Sequence, residues 1–321
     1  MKVSNLNFSI IIPVYNRPQE IDELLASLTK QDFTDNFEVL IVEDGSQNTA
    51  EKIVERYQNQ LNLKYFFKEN SGAGASRNFG MQKASGNYFI ILDSDVIVPT
   101  QYISTVKKAL EENYTDAFGG PDAAHQSFSL LQKAINYSMT SFLTTGGIRG
   151  KKNGVGKFQL RSFNLGLSKT AFEKTNGFSK MKAGEDIDLT FRLWNNNFET
   201  QLIAAAFVYH KRRTSIKQFF KQTFAFGTAR PILNRKYPTS AKLTFWFPSL
   251  FIIGLDFGIL LALFGHLTLI SCYYLYFLVL IIDSSFKNGI RVGFLTLITT
   301  ITQFFGYGLG FLESQFFNKN V

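Results

Sequence analysis

Short, largely apolar runs punctuate the first hundred residues: Phe8 to Val14, broken by Ser9, Phe37 to Val42, broken by Glu38, and the unbroken Tyr88 to Leu92. Each is cut off by polar residues, which predicts strands covered on both faces of a sheet. Lys64 to Phe67 reads as a further, shorter strand. Between the runs the spacing turns helical. Pro18 opens a helix to about Lys30 with Ile21, Leu24, Leu25 and Leu28 on one side, and Thr49 to about Gln60 carries Ile53, Val54 and Tyr57. Ser71 to Ala84 is a glycine-rich turn entering a third helix. Strands alternating with helices in this way predict an α/β domain with an open, largely parallel sheet, whose ligands gather at the carboxyl ends of the strands.

Further on the pattern changes. Phe128, Leu131, Ala134, Ile135, Met139 and Phe142 mark an amphipathic helix over Phe128 to Thr145, expected to pack in a core, with membrane contact as the second option. In Ser215 to Asn234, Ile216, Phe219, Phe220 and Phe224 oppose Lys217, Gln218, Lys221 and Gln222, as in a helix lying on a membrane surface. Phe, Leu, Ile and Tyr then dominate Leu243 to Leu312, with candidate spans at Leu243 to Phe264, Leu267 to Ile282 and Val292 to Leu312. The second is shorter than the roughly 20 residues a crossing needs, so it is expected to form a tight hairpin with the first. The organisation read from this is a catalytic-type domain over residues 1–213, a basic amphipathic interfacial segment over 214–242, and a membrane module of two to three transmembrane helices over 243–321.

Charge sharpens this reading. The net charge of +9 is local in origin, since Gln201 to Leu255 holds nine basic residues and no acidic ones. Such a block ahead of membrane-spanning sequence points to anionic lipid or a phosphate-bearing substrate, and no nucleic-acid motif accompanies it. With Lys287 and Arg291, it predicts a cytoplasmic catalytic domain, and three crossings would leave the carboxyl terminus outside. The first apolar run is interrupted by Pro13, so no signal peptide is expected. The single cysteine, Cys272, lies in a candidate span and leaves no disulfide framework or cysteine metal site. Asp256 falls near the middle of the first span, either as a functional group or as a polar contact between helices.

The strand ends carry the candidate chemistry. Pro13, Tyr15, Asn16 and Arg17 close the first strand, Asp44 the second, and Asp93, Ser94 and Asp95 the last. Two carboxylates one residue apart can converge on a hard divalent cation, which in turn can hold a diphosphate. Turn and helix-cap roles compete with this for Asp44-Gly45-Ser46 and for Asp93-Ser94-Asp95. The turn around Gly72 lacks both the P-loop and the dinucleotide spacing, yet Arg77, early in its helix, is placed to meet a diphosphate. A second acidic centre is Gly184-Glu185-Asp186-Ile187-Asp188. Acidic residues favour a helix start, but so dense a cluster also repels itself. Asp188 is expected to pair with Arg192 one turn later.

In order, IIPVYNR, IVEDGS, NSGAGASRNFG, LDSDV and GEDIDLTFRLW resemble the family 2 glycosyltransferases over roughly residues 8–213. The resemblance implies a GT-A fold (a Rossmann-like mixed sheet), a nucleotide-sugar donor, a divalent metal and inversion at the sugar carbon. Asp44 would match the residue that reads the nucleobase, and Asp93 and Asp95 the motif that holds ribose and metal. His210 would match a third metal ligand, whose imidazole suits Mn²⁺ better than Mg²⁺. Asp186 would match the base that takes the acceptor's proton, with Glu185 beside it. Arg212 and Arg213 would neutralise the departing nucleoside diphosphate. Asn164 is the matching contact on the acceptor side, and Gly146 to Lys157 reads as a mobile loop near the site. The Q-x-x-R-W block of processive synthases is absent, which favours transfer of one sugar.

The expected activity is membrane-anchored transfer of one sugar to a hydroxyl of a lipid-linked or cell-envelope glycan, in contact with membrane lipids. The alternatives are a polyprenyl-phosphate acceptor and a catalytically silent nucleotide-binding scaffold.

Overall fold

The structure, a computed structural model, describes residues 6–123, 125, 127–145 and 158–317. The loop expected over Gly146 to Lys157 lies outside these residues. The chain forms two compact units, one of residues 1–125, 152–181 and 185–211, the other of 126–151, 182–184 and 212–321.

The first unit opens with β1 (Phe8–Val14), α1 (Pro18–Leu28), β2 (Glu38–Asp44), α2 (Glu51–Tyr57), β3 (Asn62–Lys68), α3 (Ala73–Lys83) and β4 (Tyr88–Leu92), close to the expected alternation. It continues with β5 (Val96–Ile97), α4 (Tyr102–Glu112), β6 (Ala117–Gly119) and β7 (Asp122–Ala123). After α5 (Leu130–Thr140) and α6 (Phe142–Thr145), which belong to the second unit, it resumes with β8 (Asn164–Ser168), α7 (Lys169–Thr175), α8 (Glu185–Asn195), β9 (Thr200–Leu202) and β10 (Val208–His210).

The main sheet has the order β3-β2-β1-β4-β8-β6-β9. Its first four strands are parallel, and β8 runs antiparallel to both neighbours. The period of two sends Ile10 and Ile12 into one core and Ile11 into another, all fully buried, which is why β1 carries no alternation of polar residues. At the opposite end from the ligand edge, Glu38 accepts from Ser9 Oγ (2.5 Å), Ser85 N (2.6 Å) and Lys64 Nζ (2.7 Å). Those contacts hold the Glu38 carboxyl at about 2, against the tendency of burial to raise it.

The second unit adds α9 (Ile216–Lys236), α10 (Phe247–Leu263), α11 (Thr268–Asn288) and α12 (Ile290–Phe316). Residues 243–263, 268–288 and 290–316 are each long and apolar enough to cross a membrane. One expectation is corrected. The second apolar helix runs through Asn288 rather than stopping at Ile282, because its polar end is satisfied: Ser284 Oγ bonds Thr296 Oγ1 at 2.7 Å and Asp283 takes Tyr137 Oη and Lys287. The Phe219, Thr223, Gly227 and Leu233 side of α9 is buried. A Cβ on Gly227 would stand 2.1 Å from Tyr307 O, and one on Gly306 would stand 2.0 Å from Thr223 Oγ1, so glycine lets α9 and α12 meet backbone to backbone.

α5, started by a capping box of Ser129 and Gln132, also packs on α12, with Ser138 Oγ 2.7 Å from Thr299 Oγ1. Core packing is its role, within the helical unit. Asp256 is exposed on α10.

Candidate active site

Asn16, in the left-handed region at φ 54°, ties the end of β1 to the loop after β2. Its N–H donates to Ser46 Oγ (2.8 Å), and its Oδ1 accepts from the N–H groups of Gln47 and Asn48 (2.9 and 3.0 Å). Pro13 pairs with Val42 just past the last residue of β1 that registers with β4, where its missing N–H is tolerated. Tyr15 is exposed at this edge.

Asp44, at the end of β2, is buried and organises the next turn. It accepts from the N–H groups of Ser71 and Gly72, both at 2.9 Å, and pairs with Lys68. Burial alone would raise its pKa, but Lys68 and the Ser71 N–H hold it below its ordinary value. Gly72 has φ 91°, a conformation that favours glycine, and it caps α3. That turn starts the helix that carries Arg77. Arg77 is buried, with Nη2 2.7 Å from Asp93 Oδ1 and Nη1 3.1 Å from Glu185 Oε1, and its guanidinium lies over the Phe178 ring. It is engaged by carboxylates rather than open to solvent.

The turn after β4 places Asp93, the buried Ser94 and the buried Asp95. Arg17 Nη1 sits 2.5 Å from Asp95 Oδ2. A separate small sheet of order β5-β10-β7 then does what no local pattern announces. β5 pairs antiparallel with β10 so that His210 registers with Val96, next to Asp95. His210 Nε2 is 3.2 Å from Asp95 Oδ1, and its ring stacks on Phe163 at 4.8 Å. One oxygen from each of Asp93 and Asp95 and one ring nitrogen of His210 lie within 4.8 Å of one another. Two carboxylates and an imidazole so gathered fit an ion such as Mn²⁺, and the buried His210 Nδ1 lacks a hydrogen-bond partner, with Asp122 Oδ2 4.0 Å away.

α8 opens with the second acidic centre. Glu185 is pushed up by burial, with Arg77 opposing and the neighbouring Asp186 charge adding to it. Asp186 is half-buried and its Oδ2 accepts from Ser162 N at 3.2 Å. Asp188 is fully buried and takes Arg192 Nε at 2.8 Å, the pairing expected from helical spacing.

Asn164 does not face an acceptor. It is fully buried, receives Tyr102 Oη at 2.6 Å and donates to Ala206 O at 2.8 Å, which joins β8 to the loop before β10. Arg212 belongs to the second unit, where its guanidinium donates to Asn136 Oδ1 at 2.9 and 3.1 Å. Lys68 and Asp122 were missed. Lys68 ends β3, so the strand-end rule that found Asp44 could have found it, whereas only the small sheet brings Asp122 near His210.

The glycosyl transferase family 2 profile matches residues 9–175, a stretch that includes Asp44, Asp93 and Asp95 and ends before Glu185, Asp186 and His210. Poly(ribitol-phosphate) beta-N-acetylglucosaminyltransferase TarS of Staphylococcus aureus is 38% identical over 114 residues, covering 35% of this chain and 20% of TarS. Chondroitin synthase of Escherichia coli is 27% identical over 235 residues, 63% of this chain and 34% of the synthase. The chain thus spans about a fifth to a third of the length of these relatives. Among solved structures, S. aureus TarS 1-349 in complex with UDP-GlcNAc aligns with a TM-score of 0.52 at 20% identity, covering 96% of this chain and 91% of that one. Mannosyltransferase PcManGT from Pyrobaculum calidifontis, in complex with GDP-Man and Mn2+, aligns with a TM-score of 0.62 at 14% identity, covering 99% and 89%. These likenesses are of fold, and they bear out the expected GT-A architecture followed by apolar helices. Because the profile match takes in more than half of the 321 residues and all three strand-end aspartates, the chain belongs to glycosyl transferase family 2.

Proposed function

We propose that the protein is an inverting, metal-dependent transferase that moves one sugar from a nucleotide-sugar donor to a hydroxyl of a lipid-linked or cell-envelope glycan at the cytoplasmic membrane face. The observation that carries this reading is the gathering of Asp93, Asp95 and His210, with Arg77 linking Asp93 to Glu185 beside Asp186. Asp93, Asp95 and His210 would hold a divalent cation that supplies Lewis acidity to the departing diphosphate.

Asp44 receives the nucleobase, and the Asn16, Arg17 and Gly72 edge receives the rest of the nucleotide. Arg77 holds Asp93 and Glu185 in place from behind. The acceptor oxygen bonds to the sugar carbon as the bond from that carbon to the phosphate oxygen breaks, and a single displacement of this kind inverts the centre. The hydroxyl proton passes to the Asp186 carboxylate.

Because relatives include an N-acetylglucosaminyltransferase and fold neighbours were solved with UDP-GlcNAc and with GDP-Man, these two donors are tested first. The assay reads nucleoside diphosphate release by the full chain, with Mn²⁺ or Mg²⁺, with and without membrane lipid extract. Extract-dependent release from one donor is expected. No release from any nucleotide-sugar, with or without extract, would leave the silent scaffold in its place.

A further inference from the structure

α10 and α11 form an antiparallel pair, with Gly258 against Leu269 and Gly254 against Tyr273, whose hydroxyl donates to Phe251 O at 2.9 Å. The tip of the pair is Phe264 to Leu267, and its base is the start of α10 together with the end of α11. Both ends of α12 meet that base. Near its start, Gly293 lies against Ser285 and Ile281, and Thr296 bonds Ser284. Beyond its midpoint, the Phe304 ring is 5.7 Å from Phe247 and 4.7 Å from Phe251, and Ser249 Oγ donates to Gly308 O at 3.0 Å. Further still, Phe311 and Phe316 sit 4.9 and 6.2 Å from Trp246, ahead of the first turn of α10.

A third span would look different. Between Gly293 and Phe316 an α-helix advances about 35 Å, enough to carry the end of α12 past the tip of the pair. Instead that end returns to Trp246, so α12 runs across the base of the pair.

A second observation agrees. The second half of α12 lies along α9, through Thr223 at Gly306, Phe224 at Gly310 and Arg235 Nη1 3.3 Å from Ser314 O. α9 exposes Lys217, Lys221, Arg235 and Lys236. Such charges are costly in hydrocarbon and favoured beside anionic headgroups, so the helix packed against them is held at that depth. On its outer side α12 exposes Phe294, Ile298, Leu309 and Phe316, a single apolar stripe suited to acyl chains at the interface.

We infer that α12 lies along the membrane surface rather than crossing it, so that the chain crosses twice and α12 ends on the same face as the basic residues preceding α10. The surface it fits is an anionic bilayer. Among the described residues before Leu243, no helix is long and apolar enough to cross, so the amino terminus reports that same face.

The test needs no substitution. The full chain carries one epitope tag at each end, and protease is added to sealed inverted and right-side-out vesicles. Two crossings predict that both tags are digested together in inverted vesicles and protected together in right-side-out ones. Tags digested in opposite preparations would mean an odd number of crossings and overturn the inference. In a Cys272→Ser background, His266→Cys at the tip should react with an impermeant maleimide only in right-side-out vesicles. Reaction on the same face as the tags would overturn the count of two.

Discussion

Arg77 holds Asp93 through a 2.7 Å ion pair reaching from α3 to the turn after β4, and it does so while almost fully buried. A diphosphate could recruit this guanidinium only by displacing a carboxylate from it. The nearer consequence is that Arg77 keeps two acidic groups, Asp93 and Glu185, together in a poorly hydrated place. Arg77→Ala should therefore destabilise the fold by about 3–5 kcal/mol, the usual cost of leaving buried charges uncompensated. Urea denaturation checks this. A variant of unchanged stability with a raised donor KM would assign Arg77 to the donor alone.

His210 tests the metal centre. His210→Ala should weaken donor binding at limiting Mn²⁺ and recover part of it at saturating Mn²⁺, because two carboxylates remain. Titration calorimetry at both metal concentrations reads the difference. Equal donor affinity in variant and parent at limiting metal would remove His210 from the ligand set.

Asp186 separates the acceptor chemistries. Asp186→Asn keeps the shape and removes the proton acceptor, so with a hydroxyl acceptor kcat should fall by about 10²–10⁴ while donor affinity hardly changes. A polyprenyl phosphate arrives already ionised and needs no base. Nearly full turnover by this variant on the true acceptor would favour the phosphate reading.

Glu38 predicts a pH dependence of stability. Its carboxyl titrates at about 2 in the folded chain against an ordinary 4.5. A depressed pKa adds stability above the unfolded value, and that stability is lost as pH falls from about 4.5 toward about 2. Glu38→Gln should cost on the order of 2 kcal/mol at neutral pH, and the gap between variant and parent should close across that window. Denaturation midpoints at pH 7, 4 and 3 would show it, and a gap independent of pH would exclude the linkage.

A chain ending at Pro238 tests the boundary. It removes α12, against which α9 packs through Gly227 and α5 through Ser138. Both faces would meet water, so this chain should aggregate unless detergent is present. A soluble monomer without detergent would show that α5 and α9 do not depend on α12.

The elements that could be read from the chain alone are those whose signal is local. Phe8–Val14 and Tyr88–Leu92 are strands because a short apolar run between polar breaks can be buried only in a sheet covered on both faces, and Asp44, Asp93 and Asp95 were legible because they stand where such strands stop. Asp188 and Arg192 were legible because helical spacing makes them neighbours. Pairings across long stretches of chain were not. The approach of His210 to Asp95 depends on the register of a two-residue strand, and the burial of Asn164 on β8 depends on Tyr102 reaching it from α4. Nor does hydropathy reveal that Ser284 and Asp283 extend the second apolar helix, because their polarity is cancelled only by Thr296, Tyr137 and Lys287 in the folded unit. The glycines of α12 read as ordinary apolar sequence until α9 lies against them. Period and composition report what a segment can bury, whereas the partner that buries it is chosen only when the tertiary fold closes.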